Sequence, residues 1–181
     1  MTINNFDLED LFDSLNTQHF SGVIKKIPVR WNYKLRTTAG RCIYTRTRIN
    51  GCIDYKPTKI ELSKKLFKNN NMDIDKIKNT LVHEMTHAFM LQVHNETGHT
   101  ARFHLIMSRI TGEFGNHRCH NYNVEGLRNK KTVAYWCPCG LAEGSRARMP
   151  KAGVIYRAKC CKGVVKFKKI DNKSDNFWDI K

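Results

Sequence analysis

Residues 79–103, "NTLVHEMTHAFMLQVHNETGHTARF", hold four of the chain's eight histidines. His83, Glu84 and His87 form H-E-x-x-H. On an α-helix, positions i and i+4 share a face, so both imidazoles can reach one tetrahedral Zn²⁺ at about 2.0–2.1 Å per nitrogen. Glu84 projects beside them, where its carboxylate can hold the water that the metal acidifies and take its proton. The same five-residue pattern also arises in helices that merely carry surface histidines. Here Leu81, Val82, Met85, Ala88, Phe89 and Leu91 wrap the helix almost all round. That places His83 and His87 inside, where an imidazole needs a partner and a metal supplies one.

A catalytic zinc takes a third protein ligand and keeps a fourth position open. The candidates are His94, Glu96, His99 and His104. His94 shares the helical face but lies about 10.5 Å further along the axis, too far to join the same ion unless the helix breaks. His99 follows "NETG", a cluster able to stop the helix and turn the chain back toward the metal. His104 falls inside the next helix, where packing is its ordinary use. The metzincin spacing is absent, because Met90 and Val93 stand where it needs Gly and His.

A second set of ligand types lies near the C-terminus. Cys137 and Cys139 form one pair and Cys160 and Cys161 another, a Cys₄ arrangement that would staple a ribbon too small to build its own core. Cys119, His120 and His117 are alternative ligands should one of the four not serve. Trp136, Tyr156, Lys159, Lys162, Lys166 and Lys168 are candidates for following a phosphate backbone and stacking on bases, although strand aromatics more often pack into a core. Cys42 and Cys52 read as small buried residues on strands.

The elements that must position these groups are legible in outline. Phe6, Leu8, Leu11, Phe12, Leu15 and Phe20 recur at helical spacing before Gly22. "IPVRWNYKL", "GRCIYTRTR" and "GCIDYKPTKIELS" read as three strands of an antiparallel sheet. Ser63 caps a short helix over "KKLFK", a long helix runs from about Ile74 to Val93, and another from Thr100 to about Ile110. Beyond Gly115 the composition shifts to an irregular linker. "TVAYWCPCG" and "VIYRAKCCKGVVKFKKI" then read as hairpin arms around the charged loop "LAEGSRARMPKAG". The last residues form a frayed tail, apart from any docking by Phe177 and Trp178.

The expected class is α+β: a zincin-like domain of helices packed on a small antiparallel sheet (1–115), a small zinc-ribbon β subdomain (116–170) and a tail (171–181). A length of 181 residues suffices for one true core plus such an appendage. The formal charge of +16 makes nucleic acid the first partner to consider, and residues 24–48 carry eight Lys/Arg and no acid. The opening residues lack a secretory signal, and no apolar run approaches about 20 residues. A monomer that is neither secreted nor membrane-bound is expected, with thiols kept reduced for metal.

These residues also carry a family resemblance. "HEMTHAF" followed by "GHTARFH" resembles the SprT-like metalloproteases, whose signature is H-E-x-x-H, a spacer, then G-H-G-x-x-F. "DLEDLFDSLNTQHFSGVIKKIPVRWNYKLRTTAGRCIY" and "IELSKKLF" are similar to a Spartan-type protease domain. "RCHNY" and the cysteine pair before "KG" are similar to the ribbon of germ cell nuclear acidic protein. About residues 6 to 169 are covered. The resemblance implies a DNA-stimulated zinc protease, nuclear or chromatin-associated, that degrades proteins crosslinked or tightly bound to DNA with single-stranded character. It implies His83, His87 and His99 as ligands of one catalytic zinc, Glu84 as general base, and a second, structural zinc. Thr100 departs from the signature's second glycine. The ribbon's usual second C-x-x-C would place its first cysteine at Ala158, so Cys160 or another ligand must replace it. The ubiquitin- and clamp-binding tail of Spartan has no counterpart, so recruitment by those routes is not expected. Residues 59–63 are the expected edge strand for the substrate, and no oxyanion donor is singled out. The rival readings are a non-catalytic zinc-containing DNA-binding protein and a zinc peptidase indifferent to DNA.

Overall fold

The computed structural model describes residues 7–113, 121–128 and 131–170. The chain divides into two compact units, Met1–Arg128 and Asn129–Lys181. The first is an α+β body and the second a small antiparallel β unit. Tyr122, Val124 and Leu127 pack on the core of the first unit, so residues 121–128 belong with it. Phe6, His117, Cys119, His120, Phe177 and Trp178 lie outside the described residues.

Helix α1 (Leu8–Phe20) starts where the Asp7 side chain accepts from the Glu9 N–H and ends at Ser21, which is left-handed. It buries Leu8, Leu11, Phe12, Leu15 and Phe20. Asn16 turns inward too, and its amide bonds both the N–H and the C=O of Ile24. A buried amide needs that full complement, and the pairing fixes the path of the chain toward the sheet.

Strands β1 (Val29–Asn32), β2 (Gly40–Ile49) and β3 (Cys52–Ser63) lie in the order β1-β3-β2. β2 and β3 form an antiparallel hairpin closed by Asn50 and Gly51, both at positive φ, as a tight two-residue turn requires. β1 differs from the expected antiparallel arrangement: it runs parallel to β3, with Val29 opposite Ile60 and Asn32 opposite Ser63. The reason is the connection. The chain leaves β1 beside Ser63, crosses the end of β3 and re-enters at Gly40 beside Leu62. Ser63 anchors the crossing, its N–H donating to Ala39 O and its hydroxyl to Leu35 O, each at 2.8 Å.

This topology corrects the expectation that residues 59–63 form a substrate-binding edge. They are the centre of the sheet, paired to β1 on one side and β2 on the other. The edge within this sheet that faces the histidine helix is β2. The register shifts between Ile43 and Tyr44, leaving Thr58 as a bulge next to Pro57, a residue that cannot donate to a ladder.

Helix α2 (Lys64–Asn69) is capped by the Ser63 hydroxyl, which accepts from Leu66 N–H. Helix α3 (Ile74–His94) is capped by Asp73 and helix α4 (Ala101–Thr111) by Thr100. α3 carries Ile77, Leu81, Val82, Met85, Ala88 and Met90 into the core with Ile60, Leu62, Phe67 and Phe103. In the second unit, β4 (Val133–Trp136) pairs antiparallel with β5 (Glu143–Arg146) on one side and β6 (Lys166–Lys169) on the other. β5 lies within the segment expected to be a loop. "EGSR" has no strand-forming composition, and its pairing comes from β4 and from the flanking bonds Cys137 N–H to Ala142 O and Thr132 N–H to Arg146 O. Cys52 is exposed rather than buried, because it starts β3 at the hairpin tip.

Candidate functional site

The long apolar helix α3 presents His83 and His87 one turn apart, both half-buried, with Glu84 buried beside them. α3 stops at Asn95, which is left-handed, and Gly98 at φ 80° turns the chain back. His99 thereby returns to the two α3 histidines, its Nε2 3.0 Å from that of His83. One ligand nitrogen from each of His83, His87 and His99 lies within 4.8 Å of the others. Two nitrogens bound to one tetrahedral Zn²⁺ stand about 3.3 Å apart, so the spread matches what one ion needs. The other candidates lie elsewhere: His94 packs on Phe89, Glu96 pairs with Arg102, and His104 is outside the three-histidine group.

Phe103, fully buried, is the floor of this group. Its ring sits 4.5 Å from His87, stacked, and 4.7 Å and 5.0 Å from His99 and His83. A flat aromatic wall restricts how the imidazoles can turn, which preorganises them for one ion. Thr100 also finds its explanation here. It has extended backbone, and its hydroxyl accepts from Phe103 N–H and donates to Glu96. The position requires no positive φ, and a threonine cap starts α4 so that Phe103 points under the histidines.

Burial pushes the Glu84 carboxyl up to about 7, and a hydrogen bond donated by the Cys42 backbone N–H opposes that rise. Burial holds His87 down to about 3, reinforced by the neighbouring His83 and His99. A neutral imidazole is the ligand form, so this environment suits a cation. Cys42 lies opposite Ile60, whose own N–H goes to Pro28 on the β1 side, so the Cys42 N–H faces outward from the edge of the sheet. Its thiol is pushed up to about 12, by burial first and then by the charge of Glu84. Gly40 lies over Glu84 on the same strand, with no room for a side chain. The roles of Gly40, Cys42 and Phe103 were missed in the sequence. A glycine opening a strand beside a histidine helix was the available sign of close approach.

In the second unit Cys137, Cys139, Cys160 and Cys161 converge, their sulfurs 3.1–3.6 Å apart along four contacts. That is beyond a disulfide and close to the spacing of about 3.8 Å between thiolates on one Zn²⁺. Ala158 is buried and bonds Gly163 O, while Cys160 completes the cluster. Hydrogen bonding from Cys137 draws the Cys139 thiol down to about 7. The register places Lys166 opposite Trp136 and Lys168 opposite Ala134, so Trp136 shares a face with both lysines. Tyr156 is elsewhere, packed edge-on against Phe167 under the Arg146 guanidinium. Lys159 and Lys162 flank the cysteine pair.

A model of the SprT-like family matches residues 8–125. The chain is 27% identical over 161 residues to a Drosophila melanogaster protein named germ cell nuclear acidic protein, covering 87% of this chain and 14% of that one. It is 30% identical over 159 residues to the DNA-dependent metalloprotease SPRTN of Xenopus tropicalis, covering 85% of this chain and 33% of that one. The chain thus spans a third or less of the length of these relatives. No helix among the described residues is long and apolar enough to cross a membrane.

Proposed function

The chain belongs to the SprT-like family, and from that premise we propose that it is a DNA-dependent zinc metalloendopeptidase that degrades proteins crosslinked or tightly bound to DNA. One observation carries the reading: three imidazoles converge beside a buried glutamate that is itself tied to the open edge of a sheet. His83, His87 and His99 would hold Zn²⁺, leaving the fourth position for water. The ion would supply Lewis acidity to the scissile carbonyl and lower the pKa of the attacking water.

Glu84 acts as the base. Its carboxylate takes the proton from water and returns it to the leaving amine, and its burial already raises its proton affinity toward neutrality. The substrate backbone pairs along β2 at Gly40–Ile43, where Cys42 turns its C=O outward while its N–H is held by Glu84. The cysteine cluster would hold a second, structural zinc. The charge of +16 supports DNA as the partner, with Trp136, Lys166 and Lys168 as a stacking and phosphate-following surface. DNA then concentrates enzyme and substrate on one polymer, which implies a nuclear or chromatin-associated protein.

The test is cleavage of a basic DNA-binding protein with and without single-stranded DNA. Cleavage that requires DNA is the expected result. Equal cleavage in its absence would leave a peptidase indifferent to DNA. Tight DNA binding by a zinc-loaded chain that cleaves nothing would leave a DNA-binding protein.

A further inference from the structure

The β2–β3 hairpin runs well past the sheet. β1 pairs with Ile60–Ser63, so beyond the bulge the segment Tyr44–Pro57 is a two-stranded ribbon, with no third strand beside it among the described residues. Tyr44 through Arg48 are exposed on both faces. A ribbon without a buried face is marginally stable by itself, and here a side chain at the end of α3 braces it. Asn95, at the left-handed end of α3, donates to Ile53 O at 2.6 Å and accepts from Tyr55 N–H at 2.8 Å. The amide thus takes the place of a missing strand on the outer side of β3.

The register sorts the ribbon's charges by face. Arg46 lies opposite Tyr55, Arg48 opposite Ile53, and Tyr44 opposite Pro57, so Tyr44, Arg46, Arg48 and Tyr55 share one face. The acid of the ribbon, Asp54, is on the other face with Lys56, its partner at 3.4 Å. Among the described residues, neither Arg46 nor Arg48 forms an ion pair. The charges on this face are therefore all positive, two arginines about 6.8 Å apart along the strand, with the Arg48 Nε also donating to Gly51 O in the turn at 3.4 Å.

We propose that this braced arm docks on duplex DNA, its Arg46 and Arg48 face turned to the phosphates of the major groove. Charge complementarity selects a polyanion, and a two-stranded ribbon is a shape that the groove, about 12 Å wide, admits. The two tyrosines favour a duplex over a single strand. Their rings pack edge to face on each other, 5.6 Å apart, and are not two free platforms for unstacked bases. The inference rests on the reading of DNA as the partner and adds a contact on the protease unit, separate from the cysteine-bearing one.

The experiment is fluorescence anisotropy of the full zinc-loaded chain on a short duplex and on a single strand of the same sequence. The unaltered chain is compared with Arg46→Gln/Arg48→Gln and with Lys56→Gln on the opposite face. Loss of two phosphate contacts flattens the slope of log affinity against log salt by about 2, and duplex binding at low salt weakens about tenfold. Single-strand binding and the Lys56→Gln variant change by less than about twofold, and thermal unfolding is unaltered, since these side chains are exposed. Duplex binding by the double variant equal to that of the unaltered chain overturns the arm alone. So does an equal loss on the single strand, or an unaltered chain that binds only single strands. If the unaltered chain binds no DNA at all, the DNA dependence of the proposed function falls with it.

Discussion

Gly40 and Glu84 approach so closely that a β-carbon on residue 40 would stand 2.9 Å from Glu84 Cγ. The same atom would meet Thr80 Cγ2 at 2.9 Å and Leu62 Cδ2 at 3.0 Å, so it would be hemmed in by helix and sheet together. Gly40→Ala must therefore push β2 away from α3 or rotate Glu84. Overpacking of this kind costs about 1–3 kcal/mol, and displacing the base by even a fraction of an ångström lowers turnover. We expect kcat/KM to fall at least about tenfold with zinc content unchanged. Normal turnover with normal stability would show that β2 and Glu84 are not coupled.

The cysteine cluster predicts a metal count. The chain should carry two zinc ions, and Cys160→Ser should lower the count to one while leaving the His83, His87 and His99 site loaded. Loss of the second ion removes the staple of a unit with few buried residues, so limited proteolysis should cut within 131–170 and spare the first unit. Retention of both ions by Cys160→Ser would mean that another group ligates in its place.

Glu61 predicts an acid-sensitive sheet. Its carboxylate accepts from Lys59, Asn32 and Arg41, and these bonds, led by that from Lys59, hold its pKa down to about 2. An unfolded glutamate titrates near 4.3, so the folded form has the lower pKa. The stabilisation is fully present above about pH 4.3 and is lost as pH falls toward 2. Glu61→Gln should lower the Tm at neutral pH, and the gap to the unaltered chain should close on acidification. A gap that stays constant down to about pH 3 would contradict the assignment.

The sequence disclosed what is local and periodic. Helical spacing located α1, α3 and α4, Thr100 marked the start of α4, and Ser63 signalled the cap of the short α2. His99 was legible because "NETG" is a stop and a turn. The pairing of strands was less so, because which strand lies at the centre depends on contacts distant in sequence. β3 carries Pro57 and two lysines, Lys56 and Lys59, and so resembles an edge, yet β1 completes it from 31 residues away, Val29 beside Ile60. β5 was hidden in "EGSR" for the same reason. The hydrogen bond from Cys42 to Glu84 uses a backbone N–H, which no side-chain pattern reveals.

The central claim is that Glu84 is the base of a zinc peptidase. The most direct measurement is DNA-stimulated cleavage of a basic protein by Glu84→Gln at the same zinc content and DNA affinity as the unaltered chain. Removal of a general base costs roughly 10²–10⁴-fold in rate, so cleavage should fall to the background of the assay while both ions and DNA binding persist. Glu84→Gln that cleaves at the unaltered rate with its zinc in place would contradict the account.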